Sequence, residues 1–456
     1  MRRLVAALAI AAAAAVPAVP VAGGGGGKPR ARRKQCVRRI LNATRFEDRV
    51  LSDVVDRRRT VEVAAFPAGD ASRYFSVFDL RRAGGGLAAA AACGGDEVLL
   101  TGKFGLYPHA TKFSKTVAWA GCDAALAACG RASAPCVAVE RRAVIHERNR
   151  GQVDHNLGCA LVRREGLRCV GGILPRPGMR ATVLAAASRS GLLRGAGLAE
   201  VGYAFNNTVP GCVDLRRDYA DRCEFDGRFS VAAARGGGFL VYVRANMNAD
   251  GGGRYVSVAR RASLAGDGGW AYAPIRFLEA DDSRYGAGFW TAADRPFHDA
   301  LRDVSVAAAR ANVYFAAVNP NPLDGGATLL GLFPTAVEVP DRTDAREAAK
   351  GRVEEVGATL LSVSVDGVRW APPIALAEAF PVGGESTDHP IDGVVLRGDA
   401  LFVYVHAGVP GTLSALCNRD RPPAPPPSRI VRLALKADAL RAYAADAVAR
   451  LQAAPP

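Results

Sequence analysis

The carboxylates and imidazoles of this chain fall in short groups. Asp154-His155-Asn156 sets a carboxylate beside an imidazole and an amide; Asp388-His389-Pro390-Ile391-Asp392 repeats the pattern with two carboxylates, and Glu385 lies just upstream. Asp226 precedes Arg228 by two residues, so on a strand they share a face, and Arg244 ends the next apolar run. Side chains of these types bond several hydroxyls at once, as a sugar site requires, and Tyr285, Phe289 or Trp290 could stack on a ring. An internal ion pair between Asp226 and Arg228 or Arg244 accounts for the same spacing, and the residues alone leave both readings open. Other chemistries lack their residues. There is no Gly-x-Ser-x-Gly, no His-Glu-x-x-His and no Gly-x-x-x-x-Gly-Lys, and the glycine runs at 236–238 and 251–253 precede no helical segment. No Cys-x-x-Cys occurs and the six histidines are scattered, so no metal or other cofactor is expected.

The elements that would position these groups are short strands. Residues 59–66, 74–80, 97–101 and 116–120 read as strands, and 239–244, 254–259, 313–318 and 401–406 are the clearest β-branched and aromatic runs. An internal repeat organises them. Phe225-Asp-Gly227, Arg235-Gly and Leu240-Val-Tyr-Val-Arg-Ala245 recur in the same order as Ile391-Asp-Gly393, Arg397-Gly and Phe402-Val-Tyr-Val-His-Ala407. Weaker copies begin at Asp154 and Asp303, so the lead aspartates 154, 226, 303 and 392 are spaced by 72, 77 and 89 residues. Units of that size with three or four antiparallel strands fit the blades of a β-propeller, giving an all-β fold, with five blades expected.

One strand ending is sharper than the rest: Ser364-Val-Asp366-Gly367-Val-Arg-Trp370. It resembles the S-x-D-G-x-x-W blade turn of five-bladed glycoside hydrolases, the arabinanase, xylosidase and fructosidase group, and a shortened Asp-box of sialidases. Ser and Asp would cap the turn, Gly would take positive φ, and Trp would pack between blades. Ser263, Asp267 and Trp270 form a looser copy. The resemblance implies a central funnel lined by carboxylates from successive blades, with Asp154 as base or nucleophile, Asp226 as the orienting carboxylate and Asp303 as acid. Glycoside cleavage needs one protonated and one ionised carboxyl on opposite sides of the bond, ~5–5.5 Å apart for retention and ~6.5–9.5 Å for inversion. His155, Asn156, Arg228, Arg244, Glu385, Asp388, His389 and Asp392 would bind substrate. The chain departs from the group at Asp303, where the family has Glu, which leaves Glu279 and Glu385 as alternative acids. A non-catalytic propeller binding glycan or protein is the main alternative, and a sialidase-like enzyme the third.

The 456 residues carry a net charge of +15, and arginine supplies all but seven of the 59 basic residues. GC-rich coding suffices to explain much of that excess, so nucleic acid is not expected; the expected partner is a carbohydrate, with an anionic polysaccharide the variant that the charge favours. Residues 1–22 combine Arg2 and Arg3, an apolar run and a small-residue cleavage site, as a secretory signal does, and an extracellular or secretory location follows. Ten cysteines and the sequons at Asn42 and Asn206 agree with it, and disulfides are expected. Beyond that signal no apolar run is long enough to span a membrane, and a monomer is expected. The expected organisation is a glycine-rich basic linker at 23–39, a β-rich region at 40–149 giving a first blade or accessory strands, blades at 150–421, and a proline-rich strap with a C-terminal helix at 422–456. The helix spans 436–452, with Leu440, Tyr443, Ala447 and Leu451 on one face.

Overall fold

A computed structural model describes residues 54–66, 73–79, 97–103, 114–120, 140–144, 158–162, 166–171, 180–185, 199–206, 228–246, 254–278 except 267, 310–340 except 314, 353–376, 389–407 and 428–454. The fold is a five-bladed β-propeller with one C-terminal helix. Strand β1 (Val55–Phe66) comes first and belongs to the last blade. Blade 1 is the antiparallel meander β2 (Arg73–Asp79), β3 (Glu97–Lys103), β4 (Ser114–Ala120) and β5 (Glu140–Val144). Blade 2 is β6 (Gly158–Val162), β7 (Gly166–Gly171), β8 (Arg180–Ala185) and β9 (Ala199–Asn206). Blade 3 is β10 (Ser230–Ala233), β11 (Phe239–Asn246), β12 (Arg254–Arg261) and β13 (Ala273–Pro274); the short β14 (Arg276–Phe277) that follows joins the sheet of blade 4.

In blade 4 the inner edge is divided between β15 (Arg310–Val313) and β16 (Ala317–Pro320), both paired with β17 (Leu329–Pro340); β18 (Val353–Ser364), β19 (Arg369–Trp370) and β20 (Ile374–Ala375) lie outside them. The run at 313–318, expected as one strand, is therefore shared between two, with Phe315 and Ala316 in neither. Blade 5 is β21 (His389–Arg397), β22 (Ala400–Ala407), β23 (Ser428–Lys436) and, outermost, β1 from the other end of the chain.

The inner strands close a circuit. β2 packs on β6, β6 on β10, β10 on β16, β16 on β21, and β21 returns to β2 through a parallel pairing of Ser76 with Asp392. Middle strands are covered on both faces by neighbouring blades, so they read as continuous apolar runs rather than as alternating ones. β22 is the clearest, with all eight residues buried. Its Leu401, Val403, Val405 and Ala407 join Leu330, Leu332, Leu361 and Val363 of blade 4 in one core.

Tryptophans clamp successive blades. Ser364 Oγ accepts from Gly367 N–H at 2.8 Å, and Asp366 Oδ1 accepts from Val368 and Arg369 N–H at 2.8 and 2.7 Å. Gly367 has φ +85°, and a Cβ there would stand 2.7 Å from Leu240 Cδ1 and Tyr242 Oη of blade 3. Trp370 is fully buried, meets Phe333 edge-on at 4.9 Å and Tyr242 at 6.3 Å, and Gly331 leaves room for its ring. Tyr242 Oη donates to Gly367 O at 3.0 Å; burial, then the Asp366 charge, push the phenol well above its usual range, so it stays a donor. The same device joins blades 2 and 3. Trp270 Nε1 donates to Gly266 O at 2.8 Å, as Trp370 Nε1 does to Gly367 O at 3.2 Å, and its ring packs on Phe205 of β9 at 4.6 Å. Gly266, three residues after Ser263, holds the position of Gly367, and Asp267 lies outside the described residues.

Helix α1 (Ala437–Ala453) follows β23 directly and packs on β18 and β23. Its buried face is Leu440, Ala444, Ala447 and Leu451. Tyr443 sits at the edge of that face and donates from Oη to Pro372 O at 3.0 Å. Cys159 and Cys169, directly opposite on β6 and β7, form a disulfide inside blade 2. Among the described residues no helix is long and apolar enough to cross a membrane.

Candidate functional site

Three inner strands bring polar side chains together beside the propeller axis. The approach to β10 reads Arg228-Phe229-Ser230. Strand alternation sends Phe229 towards blade 2, where it stacks on Phe205 at 6.0 Å, and leaves Arg228 and Ser230 on the face turned to blade 4. There Ser230 Oγ accepts from Val318 N–H at 2.9 Å and donates to Asp392 Oδ2 at 3.0 Å. Asn319, at the end of β16, donates from Nδ2 to Asp392 Oδ1 at 2.9 Å. Arg228 Nη2 lies 3.7 Å from Asp392 Oδ2, an ion pair too long for a strong hydrogen bond. One carboxyl of blade 5 is thus held by side chains of blades 3 and 4.

Asp392 reaches this position through a backbone irregularity. The register of β21 against β22 shifts between Pro390 and Val394, and Gly393 takes φ +120°. A bulge of this kind bends its strand and re-aims the side chain it carries. Asp392 is buried, and burial raises its pKa to about 6, against the opposing effects of the Arg228 charge and of hydrogen bonds from Ser230, Asn319 and the Gly393 N–H. A carboxyl in this state exchanges a proton near neutral pH, which suits acid–base work.

Of the residues singled out by the sequence, Arg228 and Asp392 are the pair brought together. Arg228 pairs with Asp392, and the ion pair expected of Asp226 with Arg228 or Arg244 lies outside the described residues with Asp226. Arg244 is buried on β11, two residues beyond the Ser230–Tyr242 pair and so on the face that carries Arg228 and Ser230. His389 is buried edge-on to Phe315 at 5.3 Å and lies opposite His406 across β21 and β22. His406 Nε2 and Ser428 Oγ are 2.9 Å apart. Asp154, His155, Asn156, Asp226, Asp303, Glu385 and Asp388 lie outside the described residues, as do Glu279, Tyr285, Phe289 and Trp290.

The strand pairing also relates blade 5 to blade 3. His406 occupies the repeat position of Arg244, and His389 opposite it stands where blade 3 has Arg228. Asp392 is three residues further on, inside its strand, whereas Asp226 precedes β10 by four. Ser230, Asn319, His406 and Ser428 were not singled out by the sequence. The available signals were slight: Ser230 shares the alternation of Arg228, and His406 matches Arg244 in the repeat. Among the described residues, no three His, Cys, Asp or Glu side chains are grouped as a metal site would need.

No family model matches the chain, and no curated protein matches it. Solved structures similar to it include an α-L-arabinanase from Penicillium chrysogenum complexed with arabinobiose, 10% identical, covering 83% of this chain and 98% of that one with a TM-score of 0.41. An endo-arabinase from Bacteroides thetaiotaomicron is 9% identical over 78% of this chain and 95% of its own, with a TM-score of 0.40. A GH43_1 enzyme from Xanthomonas citri is 10% identical over 82% and 90%, with a TM-score of 0.38.

Proposed function

We propose that the chain is a secreted, carbohydrate-active propeller, a glycoside hydrolase cleaving through paired carboxylates in its central funnel. The observation that carries this reading is the cluster of Arg228, Ser230, Asn319 and Asp392, assembled beside the axis from three blades around a carboxyl with a pKa of about 6. Convergence of strands from several blades lets crowding and charge pull carboxyl pKa values apart, which a pair working as acid and base requires. In this reading Asp154 is the base or nucleophile, Asp226 orients, and Asp303, or Glu279 or Glu385 in its place, is the acid. Arg228 and Asp392 fix the floor against which they act. Secretion rests on residues 1–22.

A second reading, a non-catalytic glycan-binding propeller, is favoured by one observation: both oxygens of Asp392 are already engaged by Ser230 and Asn319. A single screen separates the two. Wild type, Asp154→Asn and Asp226→Asn are assayed for hydrolysis of arabinan and xylan oligosaccharides and for binding on a glycan array. The enzyme reading expects wild-type turnover that falls ~100-fold or more in Asp154→Asn. Binding without turnover in every form selects the second reading, and neither binding nor turnover overturns both.

A further inference from the structure

Gly158 opens β6, the inner strand of blade 2, and meets the stretch of blade 3 that carries Arg228 and Ser230. A Cβ at Gly158 would stand 2.6 Å from Phe229 O, 2.7 Å from Phe229 C and 2.9 Å from Phe229 Cβ. Gly158 has no positive φ, so space alone keeps a side chain out. No rotamer change clears a backbone carbonyl; one strand would have to move by roughly 0.5–1 Å to restore ordinary contact. Both sides are held. β6 is tied to β7 by the Cys159–Cys169 disulfide, which starts at the next residue. Phe229 is fully buried and stacks on Phe205 at 6.0 Å, and Phe205 in turn meets Trp270 at 4.6 Å and Tyr272 at 5.4 Å. A displaced Phe229 therefore takes its chain neighbours with it, and they have little slack. Ser230 Oγ is 3.0 Å from Asp392 Oδ2, the long end for a bond between oxygens, and 2.9 Å from Val318 N. Among the described residues Arg228, with Nη2 3.7 Å from Asp392 Oδ2, is the charged group that acts on this carboxyl.

We infer that Gly158 of blade 2 is a positioning residue for the cluster around Asp392 of blade 5, acting through Phe229. Its missing side chain lets blade 2 seat against the Phe229 backbone, and this contact sets where Arg228 and Ser230 stand. Its weight in catalysis rests on the hydrolase reading above; the coupling to Asp392 does not. In that reading Asp154 lies four residues before Gly158 in the sequence and Asp226 three before Phe229. One backbone contact then also sets how the chain of the base approaches that of the orienting carboxylate.

The test uses the full chain and needs no substrate. Wild type and Asp392→Asn are denatured in urea between about pH 4 and pH 8. The stability difference between them levels off once Asp392 has lost its proton in the fold, at about pH 6. The same pair is then compared with Gly158→Ala present in both. The levelling pH should move by about half a unit or more, because Arg228 and Ser230 shift against the carboxyl. Phe229→Leu, which keeps Gly158 but removes the stack on Phe205, should move it too, and it carries the test if Gly158→Ala does not fold. Leu451→Ala removes buried volume from α1, which packs on β18 and β23; it should lower stability and leave the levelling pH in place. An unmoved levelling pH in the variants that fold overturns the inference, and so does an equal movement in Leu451→Ala. Hydrolysis is a separate result. In an active enzyme Gly158→Ala should lower kcat at least ~10-fold with KM little changed. An inactive wild type removes the hydrolase reading and leaves the coupling to be judged by the levelling pH.

Discussion

Ser230 and Asp392, 162 residues apart, share a 3.0 Å hydrogen bond that joins the inner strand of blade 3 to that of blade 5 across blade 4. Ser230 also receives the Val318 N–H, so its hydroxyl uses its donor on the carboxylate and an acceptor site on the blade between them. Ser230→Ala would leave Val318 N–H and one carboxylate oxygen without this partner in a buried site. A loss of about 1–3 kcal/mol in unfolding free energy is expected, read by urea denaturation. A change within a few tenths of a kcal/mol would mean that the bond is incidental to the fold.

Asp392 makes stability depend on pH with a defined sign. Its pKa is raised to about 6 in the fold, above the ordinary carboxylate value, so the protonated form is favoured there. Its contribution is complete below about pH 4 and is lost as pH rises through 6, amounting to roughly 2–3 kcal/mol. Asp392→Asn removes this titration and leaves a constant offset. The stability difference, variant minus wild type, should therefore shift in the variant's favour by about 2 kcal/mol between pH 4 and pH 7. A difference independent of pH in urea titrations would remove the raised pKa.

The turn that follows Ser364 is intolerant of a side chain at its glycine. Gly367→Ala must place a Cβ at φ +85° and 2.7 Å from two atoms of blade 3. A cost of about 2 kcal/mol or more is expected from strain and overpacking together, measured as a lower denaturation midpoint. Gly236→Ala, also at positive φ but with open space around it, should cost less.

Blade 2 carries its own covalent tie. Cys159 and Cys169 enclose a short loop, so Cys159→Ser with Cys169→Ser should lower stability by about 3 kcal/mol through the entropy of the unfolded chain. Equal midpoints for that double variant and wild type would mean that the β6–β7 pairing needs no such tie.

Much of the fold could be read from sequence because middle strands carry their own signal. Residues 239–244, 254–259 and 401–406 are dominated by β-branched and aromatic residues on both faces, and each lies within an observed strand. Helix α1 begins one residue later than its period suggests, with Ala444 buried where Tyr443 was expected. The cluster at the axis was less legible. Asn319 reads as a strand-end residue before a proline, and nothing local ties it to a carboxyl 73 positions away. The repeat pointed to Asp392 through its match with Asp226, but the irregularity after Pro390, which sets Asp392 inside its strand, leaves no sequence signal. Alignment of types preserves order along the chain, whereas a bulge changes which side chain turns inward.

Placing β1 outermost on blade 5 sets a timetable for folding. The strand at Val55–Phe66 is among the first parts of the body to be synthesised, yet its partner β23 ends at Lys436. Until nearly the whole chain exists, β1 has no edge to join, and blade 5 lacks its outer strand. The ring cannot be sealed progressively as each blade emerges; it is sealed once, at the end, by a segment that has waited since the beginning.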